Sequence, residues 1–328
     1  MKKSAILLIC LALLAGLLAG ALVLTRRQEE IPVENAGTVH SAVTKRTYLT
    51  YEGQDYPLKP HLQTVLLIGT DSLEKYEEKT EGMKRFYNHN QADFLMLLAL
   101  DRDAGIARLI QLNRDTMTDV PWLDVLGEYG GTEVKQLCLA FNYGDGGEKS
   151  CKNTVDAVSG LLFGLPVDHY IQIPMTAVGA LNDLVGGVRV TIEEDLTTVD
   201  PAFRAGQTVR LTGKQAQSFV RARSGLADDT NLARMSRQRA YMDSFQQCAR
   251  AAIDTDSEFT VKLLETLGGF LQSDMTAQQL SELVTRLDNA WVMPIQTAEG
   301  ELTLGEIYYE FYPDQASAWQ IVRDACCE

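Results

Sequence analysis

Five apolar runs constrain this chain most, at residues 64–68, 94–100, 107–112, 169–173 and 188–192. They are too continuous for strands with one wet face, so they predict strands of a sheet covered on both sides. Between and after them the apolar spacing turns helical, over 153–162, 175–184, 212–220 and a long stretch at 232–253. Such alternation predicts a three-layer α/β/α sandwich around a central mixed sheet. Gly186-Gly187 is placed to end the second helix and Thr212-Gly213 to start the third.

The N-terminus reads Met1-Lys2-Lys3, then an uncharged run over 4–25, then Arg26-Arg27. The run is long enough to cross a bilayer as a helix. A cleaved signal peptide has a shorter apolar region and a small-residue cleavage site where Arg26-Arg27 stand, so the run predicts an uncleaved anchor. The expected organisation is a tail at 1–3, a transmembrane helix at 4–25, a polar stalk at 26–60 and a domain at 61–328. Basic residues on both flanks leave the orientation open. Cys10 lies too early in the run, and without a preceding small residue, to serve as a lipid-attachment site. Cys138 and Cys151 bracket a Gly-rich loop and could form a disulfide on an oxidising side of the membrane. Without CxxC spacing, and with His40, His61, His89 and His169 far apart, the sequence argues against a metal held by Cys and His.

A chain of formal charge −14 concentrates Arg221, Arg223, Arg234, Arg237 and Arg239 in one short stretch, with Asp228 and Asp229 between them. A basic island in an acidic protein points to a compact anion rather than to a nucleic-acid surface. The planar arginine fork suits phosphate oxygens. Arg221 and Arg223, two apart, would face one way from an extended segment, and Arg234 and Arg237 would share a helix face. Arg239 falls off that face and reads as a surface residue. Asp71 follows the first strand and Asp93 opens the second, where α/β sheets bind ligands; two carboxylates at a phosphate site suit Mg²⁺. Arg114 and Asp115 end the third strand beside the same crevice.

The pattern resembles the LytR-CpsA-Psr family of bacterial cell-envelope proteins. The resemblance runs in order through Leu66-Leu67-Ile68-Gly69-Thr70-Asp71-Ser72, Ala92-Asp93-Phe94-Leu95-Met96-Leu97 and Asn113-Arg114-Asp115-Thr116. It continues through Gly164-Leu165-Pro166-Val167-Asp168-His169-Tyr170, Leu184-Val185-Gly186-Gly187-Val188, Leu211-Thr212-Gly213-Lys214-Gln215-Ala216, Val220-Arg221-Ala222-Arg223, Arg234-Met235-Ser236-Arg237-Gln238 and Glu310-Phe311-Tyr312-Pro313.

The resemblance implies an extracytoplasmic domain on a single-pass anchor with a short cytoplasmic tail. It implies transfer of a phospho-glycopolymer, such as teichoic acid or capsule, from a polyprenyl-pyrophosphate carrier onto peptidoglycan. By position, Asp71 and Asp93 would hold Mg²⁺. Arg114, Arg221, Arg223, Arg234 and Arg237 would surround the pyrophosphate, and Asp115 would orient Arg114. The catalytic set is then Arg114, Asp115, Arg221 and Asp229, with Asp93, Asp115 and Asp229 as candidate general bases. Helices over 155–162 and 175–185 could line a slot for the isoprenoid tail.

The chain departs from the family pattern at Leu73 and Gln91, where arginine is common, and at Asn113, which replaces a proline. Asn231 stands where an acid is common, which leaves Asp229 as the expected substitute. Two other readings use the same pocket: hydrolysis of the lipid pyrophosphate, and a non-catalytic binding or regulatory envelope protein. Acidic balance, the expected anchor and the lack of a helix-turn-helix segment argue against DNA binding.

Overall fold

The computed structural model describes residues 46–71, 88, 90–124, 126–222, 230–256, 258–306 and 308–328. The expected membrane span at 4–25 lies outside them, and no helix among the described residues is long and apolar enough to cross a membrane.

In chain order, an antiparallel hairpin of β1 (Tyr48–Tyr51) and β2 (Gln54–Pro57) precedes β3 (Leu62–Thr70), β4 (Ala92–Asp101) and β5 (Ile106–Leu112). A second ribbon, β6 (Met117–Leu123) and β7 (Tyr129–Gln136), leads into α1 (Leu139–Asn142) and α2 (Glu148–Leu161). Then come β8 (His169–Pro174), α3 (Thr176–Leu184), β9 (Arg189–Thr191), β10 (Thr208–Arg210), α4 (Gly213–Arg221) and α5 (Asn231–Thr255). The chain continues through α6 (Phe259–Gly268), β11 (Gln272–Ser273), α7 (Ala277–Asn289) and β12 (Trp291–Val292). It ends with the hairpin β13 (Gly300–Leu304) and β14 (Tyr309–Pro313) and with α8 (Gln315–Cys326).

The central sheet has the order β11-β8-β3-β4-β5-β12. Pairing is antiparallel within β3-β4-β5 and parallel for β3-β8 and β5-β12, so the sheet is mixed. Alternate side chains of its strands enter two separate cores. Val65, Leu67, Met96, Leu98 and Leu109 meet α3 to α7 on one face, among them Leu181, Phe219, Phe245, Leu263 and Leu283. Leu66, Ile68, Leu97 and Ile110 meet α2, α8 and the β1 strand on the other, through Val158, Val322 and Leu49. Each fully buried leucine here stabilises the fold by about 1.5–3 kcal/mol relative to an exposed one. Covering on both faces is why these strands read as continuous apolar runs.

Three expectations about the fold change. The fifth run, 188–192, forms β9, which pairs with β10 in a two-stranded ribbon and not with the central sheet. Its sequence in fact alternates: Arg189 and Thr191 are exposed, whereas Val188, Val190 and Ile192 pack into the first core. The stalk expected up to residue 60 contains the β1-β2 hairpin. Leu49 is fully buried there, and Lys59 N donates to the Cys326 carbonyl at 2.9 Å, so the domain begins before residue 61. Cys138 and Cys151 are both free and buried and do not pair. Cys138 Sγ faces Arg114 and Cys151 Sγ faces Gln172 Oε1.

Helix ends follow local chemistry. Gly186 and Gly187 hold φ of 77° and 90°, the left-handed region that ends α3 at no cost to a residue without Cβ. The Thr212 hydroxyl accepts from Gln215 N while the Gln215 side chain answers the Thr212 backbone, a capping box that fixes the start of α4.

Candidate active site

The site stands at one end of the central sheet. β3 and β4 pair Gly69 with Phe94 and Thr70 with Ala92, with an irregularity between, so Asp71 and Asp93 emerge side by side. On the other flank of β4, Leu95 pairs with Leu112, and the chain turns there through Asn113–Thr116. The first turns of α5 close the arrangement from above.

Asp93 is its centre. Arg114 Nη1 and Arg234 Nη1 both donate to Asp93 Oδ1, the latter at 3.1 Å, and Arg234 Nη2 reaches the Asp93 carbonyl at 3.3 Å. Arg114 is further held by Gln91 Oε1 and by Cys138 Sγ at 2.9 Å on Nη2, and its Nε lies 3.3 Å from Asp115 Oδ1. All three members of the pair of ion contacts are buried, with side-chain exposures of 9% for Arg114, 6% for Arg234 and 11% for Asp93. A neutral layer supports them. Asn231 Oδ1 accepts from Arg234 Nη2 at 2.5 Å, while Asn231 Nδ2 donates at 2.6 Å to Asn113 Oδ1, which also accepts the Asp115 backbone N–H.

Asp71 lies beside Asp93 and shares a hydrogen bond with it. Arg221, the last residue of α4, approaches Asp71 Oδ1 at 2.7 Å, and this pair is half-exposed. The two carboxyls are pushed apart electrostatically. Burial, and then the neighbouring Asp93 charge, raises Asp71 above the usual carboxylate range. Burial acts upward on Asp93 too, but the Arg114 and Arg234 guanidiniums outweigh it and hold Asp93 below that range. Burial also pushes the Cys138 thiol up to about 11, against the pull of Arg114, so it contacts Arg114 as a neutral group.

The structure brings together Asp71, Asp93, Arg114, Asp115, Arg221 and Arg234. Arg223 and Asp229 lie outside the described residues. Arg237 shares a helix face with Arg234 but turns away, donating to Glu194 Oε1 and to the Ala222 carbonyl. Arg239 is not a plain surface residue; it is half-buried and donates to Gln111 Oε1 at 2.9 Å. Arg221 belongs to a helix end rather than to an extended segment. The expected substitution of Asp229 for the missing acid is not needed to hold Arg234, because Asn231 itself accepts from it.

Under the polar cluster lies an apolar cavity with about 800 Å³ of empty space, its open mouth included. Leu67, Gly69, Phe94, Met175, Tyr241 and Phe245 are among the residues that line it. The segment 175–185 contributes Met175, Val178 and Leu181, as expected. The segment 155–162 does not: Ala157, Val158 and Leu162 belong to the core on the opposite face of the sheet. The sequence reading also missed Gln238, Tyr241 and Phe245, although a signal was present. Arg234, Gln238, Tyr241 and Phe245 are spaced four, three and four residues apart, one continuous face of α5 that starts at the guanidinium and runs into the cavity.

In sequence Gln91, Asn113 and Asn231 read only as departures, and Cys138 only as a candidate for a disulfide. In three dimensions they hold Arg114, Arg234 and the turn between them.

Comparison with known proteins places the chain. The model of the LytR_cpsA_psr family matches residues 34–323. A polyisoprenyl-teichoic acid–peptidoglycan teichoic acid transferase TagU from Oceanobacillus iheyensis is 26% identical over 264 residues, 76% of this chain and 71% of that protein. The cell wall biosynthesis protein LcpA of Corynebacterium glutamicum is 26% identical over 276 residues, 76% of this chain but 49% of that protein. Among solved structures, protein gbs0355 from Streptococcus agalactiae superposes with a TM-score of 0.62 at 19% identity, over 80% of this chain and 87% of the other. TagT bound to LIIa-WTA gives 0.58 at 20% identity, over 80% and 89%. These two likenesses establish the fold.

Proposed function

Because the chain belongs to the LytR-CpsA-Psr family, we propose that it is a membrane-anchored phosphotransferase that moves a phospho-glycopolymer from a polyprenyl-pyrophosphate carrier onto peptidoglycan outside the cytoplasm. The observation that carries this reading is the adjacency of the Arg114–Asp93–Arg234 cluster to the apolar cavity, whose lining includes Phe94, the residue after Asp93, and Gln238, one helical turn beyond Arg234. A diphosphate with an isoprenoid tail is the class of ligand that needs both, side by side. The names of the TagU and LcpA relatives support a cell-wall substrate.

In the proposed reaction an acceptor hydroxyl oxygen attacks the phosphorus that carries the glycan. The bond from that phosphorus to the bridging oxygen breaks, and polyprenyl phosphate leaves, its freed oxygen taking up the proton that the acceptor hydroxyl gives up. Arg114 and Arg234 are fixed before substrate arrives, so they meet the developing charge on the phosphate oxygens without reorganising. Asp115 and Gln91 orient Arg114, and Asn231 orients Arg234. Arg221 at the exposed rim can exchange Asp71 for a phosphate oxygen. Of the two adjacent carboxyls, Asp93 is the weaker base, since two guanidiniums hold it ionised.

The donor set at Asp71 and Asp93 fits Mg²⁺. Asp71 is raised by burial first and by the Asp93 charge second, and a hard cation between the two carboxylates would relieve that second part. No cluster of three or more Asp, Glu, His or Cys suited to a metal occurs among the described residues. When bound there, Mg²⁺ would neutralise charge on the diphosphate.

The test combines the full chain in detergent with a polyprenyl-pyrophosphate glycan, peptidoglycan and Mg²⁺. Covalent attachment of glycan by the wild type, lost with EDTA and with Arg114→Ala, supports the transferase. Free phospho-glycan in place of attached product would make it a hydrolase, and binding with neither product a non-catalytic binder.

A further inference from the structure

The β13-β14 hairpin presents an open face that the proposed chemistry does not use. Its strand pairing puts Phe311 and Leu302 on the side of the core and Glu310 and Tyr312 on the other, with Tyr308 standing immediately before β14. Phe311 is buried, whereas Tyr308 is 64% and Tyr312 46% exposed. The face is ordered by its own contacts. The Tyr312 hydroxyl donates to Glu310 Oε2 at 2.7 Å, and the Glu310 carboxylate fills the space over Gly305, where an added Cβ would come within 2.5 Å of Oε1. Gly305 N in turn donates to the Tyr308 carbonyl at 2.9 Å.

The hairpin is fastened to the active-site turn. Phe311 N donates to the Asp115 carbonyl at 2.9 Å, Thr116 bridges to Phe311, and Gln136 Nε2 joins Asp115 Oδ1 at 3.3 Å to the Tyr309 carbonyl at 2.7 Å. Whatever lies on this face is therefore in register with Arg114 and Asp115.

We propose that the Tyr308–Glu310–Tyr312 face binds the glycan strand of the peptidoglycan acceptor and aligns it with the phosphate site. This rests on the transferase reading above and names the acceptor surface. Two exposed phenol rings, Tyr312 in β14 and Tyr308 just before it, can stack on the C–H faces of sugar rings, and the carboxylate between them accepts sugar hydroxyls. A lipid would gain little from a face that carries a fixed carboxylate. The phosphate-rich donor polymer is disfavoured as well, because Glu301, Glu306 and Glu310 make the hairpin acidic. A neutral amino-sugar chain is the occupant that fits both features.

The test measures co-sedimentation of the full chain, in detergent, with purified sacculi stripped of anionic polymer. It runs beside a separate measurement of polyprenyl-pyrophosphate glycan binding. The expected result is that Tyr308→Ala with Tyr312→Ala weakens sacculus binding about tenfold and leaves donor binding and thermal melting unchanged. Tyr308→Phe with Tyr312→Phe keeps the rings and retains most of the binding. Wild-type sacculus binding by the alanine variant, or a loss that appears equally in donor binding, would overturn the proposal. Arg114→Ala separates the two readings: it should bind sacculi normally while losing the donor, and a donor-binding failure of the wild type would strike the transferase reading alone.

Discussion

Arg234 reaches across from α5 to Asp93 on β4, with Nη1 3.1 Å from the carboxylate and Nη2 3.3 Å from the same residue's carbonyl. Asp93 also receives Arg114, so one buried carboxylate compensates two buried guanidiniums. Replacing it by alanine takes this carboxylate from Arg234 and leaves Arg114 with Asp115 alone, and removing one partner of a buried pair costs roughly 3–5 kcal/mol. Urea unfolding of Asp93→Ala should show a loss of this size. Arg221→Ala, which breaks a half-exposed pair, should cost less than about 1 kcal/mol.

Transfer rates should separate the arginines by what they face. Arg114→Ala and Arg234→Ala are each expected to lower turnover by about 10²–10³, the usual effect of losing a preorganised donor to a developing oxyanion. Arg237→Ala and Arg239→Ala should act mainly on stability, since these side chains are directed at Glu194, Ala222 and Gln111. Single-turnover glycan attachment distinguishes the two groups.

The pH dependence follows from opposite shifts in adjacent carboxyls. The folded state holds the Asp71 proton more tightly than the unfolded chain, so this group's contribution falls as pH rises from about 4 through its raised folded value. Asp93, held low, contributes stability that is present above about pH 4 and is lost as pH falls through its depressed value. Asp71→Asn should therefore unfold at a higher urea concentration than the wild type at neutral pH without Mg²⁺. The difference should shrink towards about pH 4, and the same variant should transfer no glycan.

Much of this arrangement was legible in the sequence, and the failures are physical. The strands that became β3, β4, β5 and β8 announced themselves because both their faces are covered. β9 was mistaken for one of them because its alternation with Arg189 and Thr191 is short. The β1-β2 hairpin reads as polar because Leu49 is its one fully buried anchor. At the site, the arginines and aspartates stood out by type and position. Their partners did not, since Gln91, Asn231 and Cys138 reach Arg114 and Arg234 only through the sheet register and the placement of α5. What reads as a missing charge at residues 91 and 231 is in the fold a neutral acceptor holding a charge in place.

Thiol chemistry should report the burial of Cys138. With its thiol pushed up to about 11 and its side chain enclosed by Arg114, it should resist alkylation in the native protein and react on unfolding. Mass spectrometry without reductant should find Cys138 and Cys151 both as free thiols.

The cavity makes a separate demand. Val178→Trp, which places a large ring in the space between α3 and α5, should weaken binding of a long-chain polyprenyl pyrophosphate and leave inorganic pyrophosphate binding unchanged. Calorimetry with both ligands reads the difference.

The central claim is that one site takes a diphosphate head at Arg114 and Arg234 and an isoprenoid tail in the cavity below. Its most direct test is calorimetric titration of the full chain with a polyprenyl pyrophosphate, against inorganic pyrophosphate and the matching polyprenyl alcohol. The account predicts tight binding of the joined molecule, much weaker binding of either half, and a loss of about tenfold or more with Arg234→Ala. Equal affinity for the pyrophosphate lipid and the alcohol, or no effect of Arg234→Ala, would contradict it.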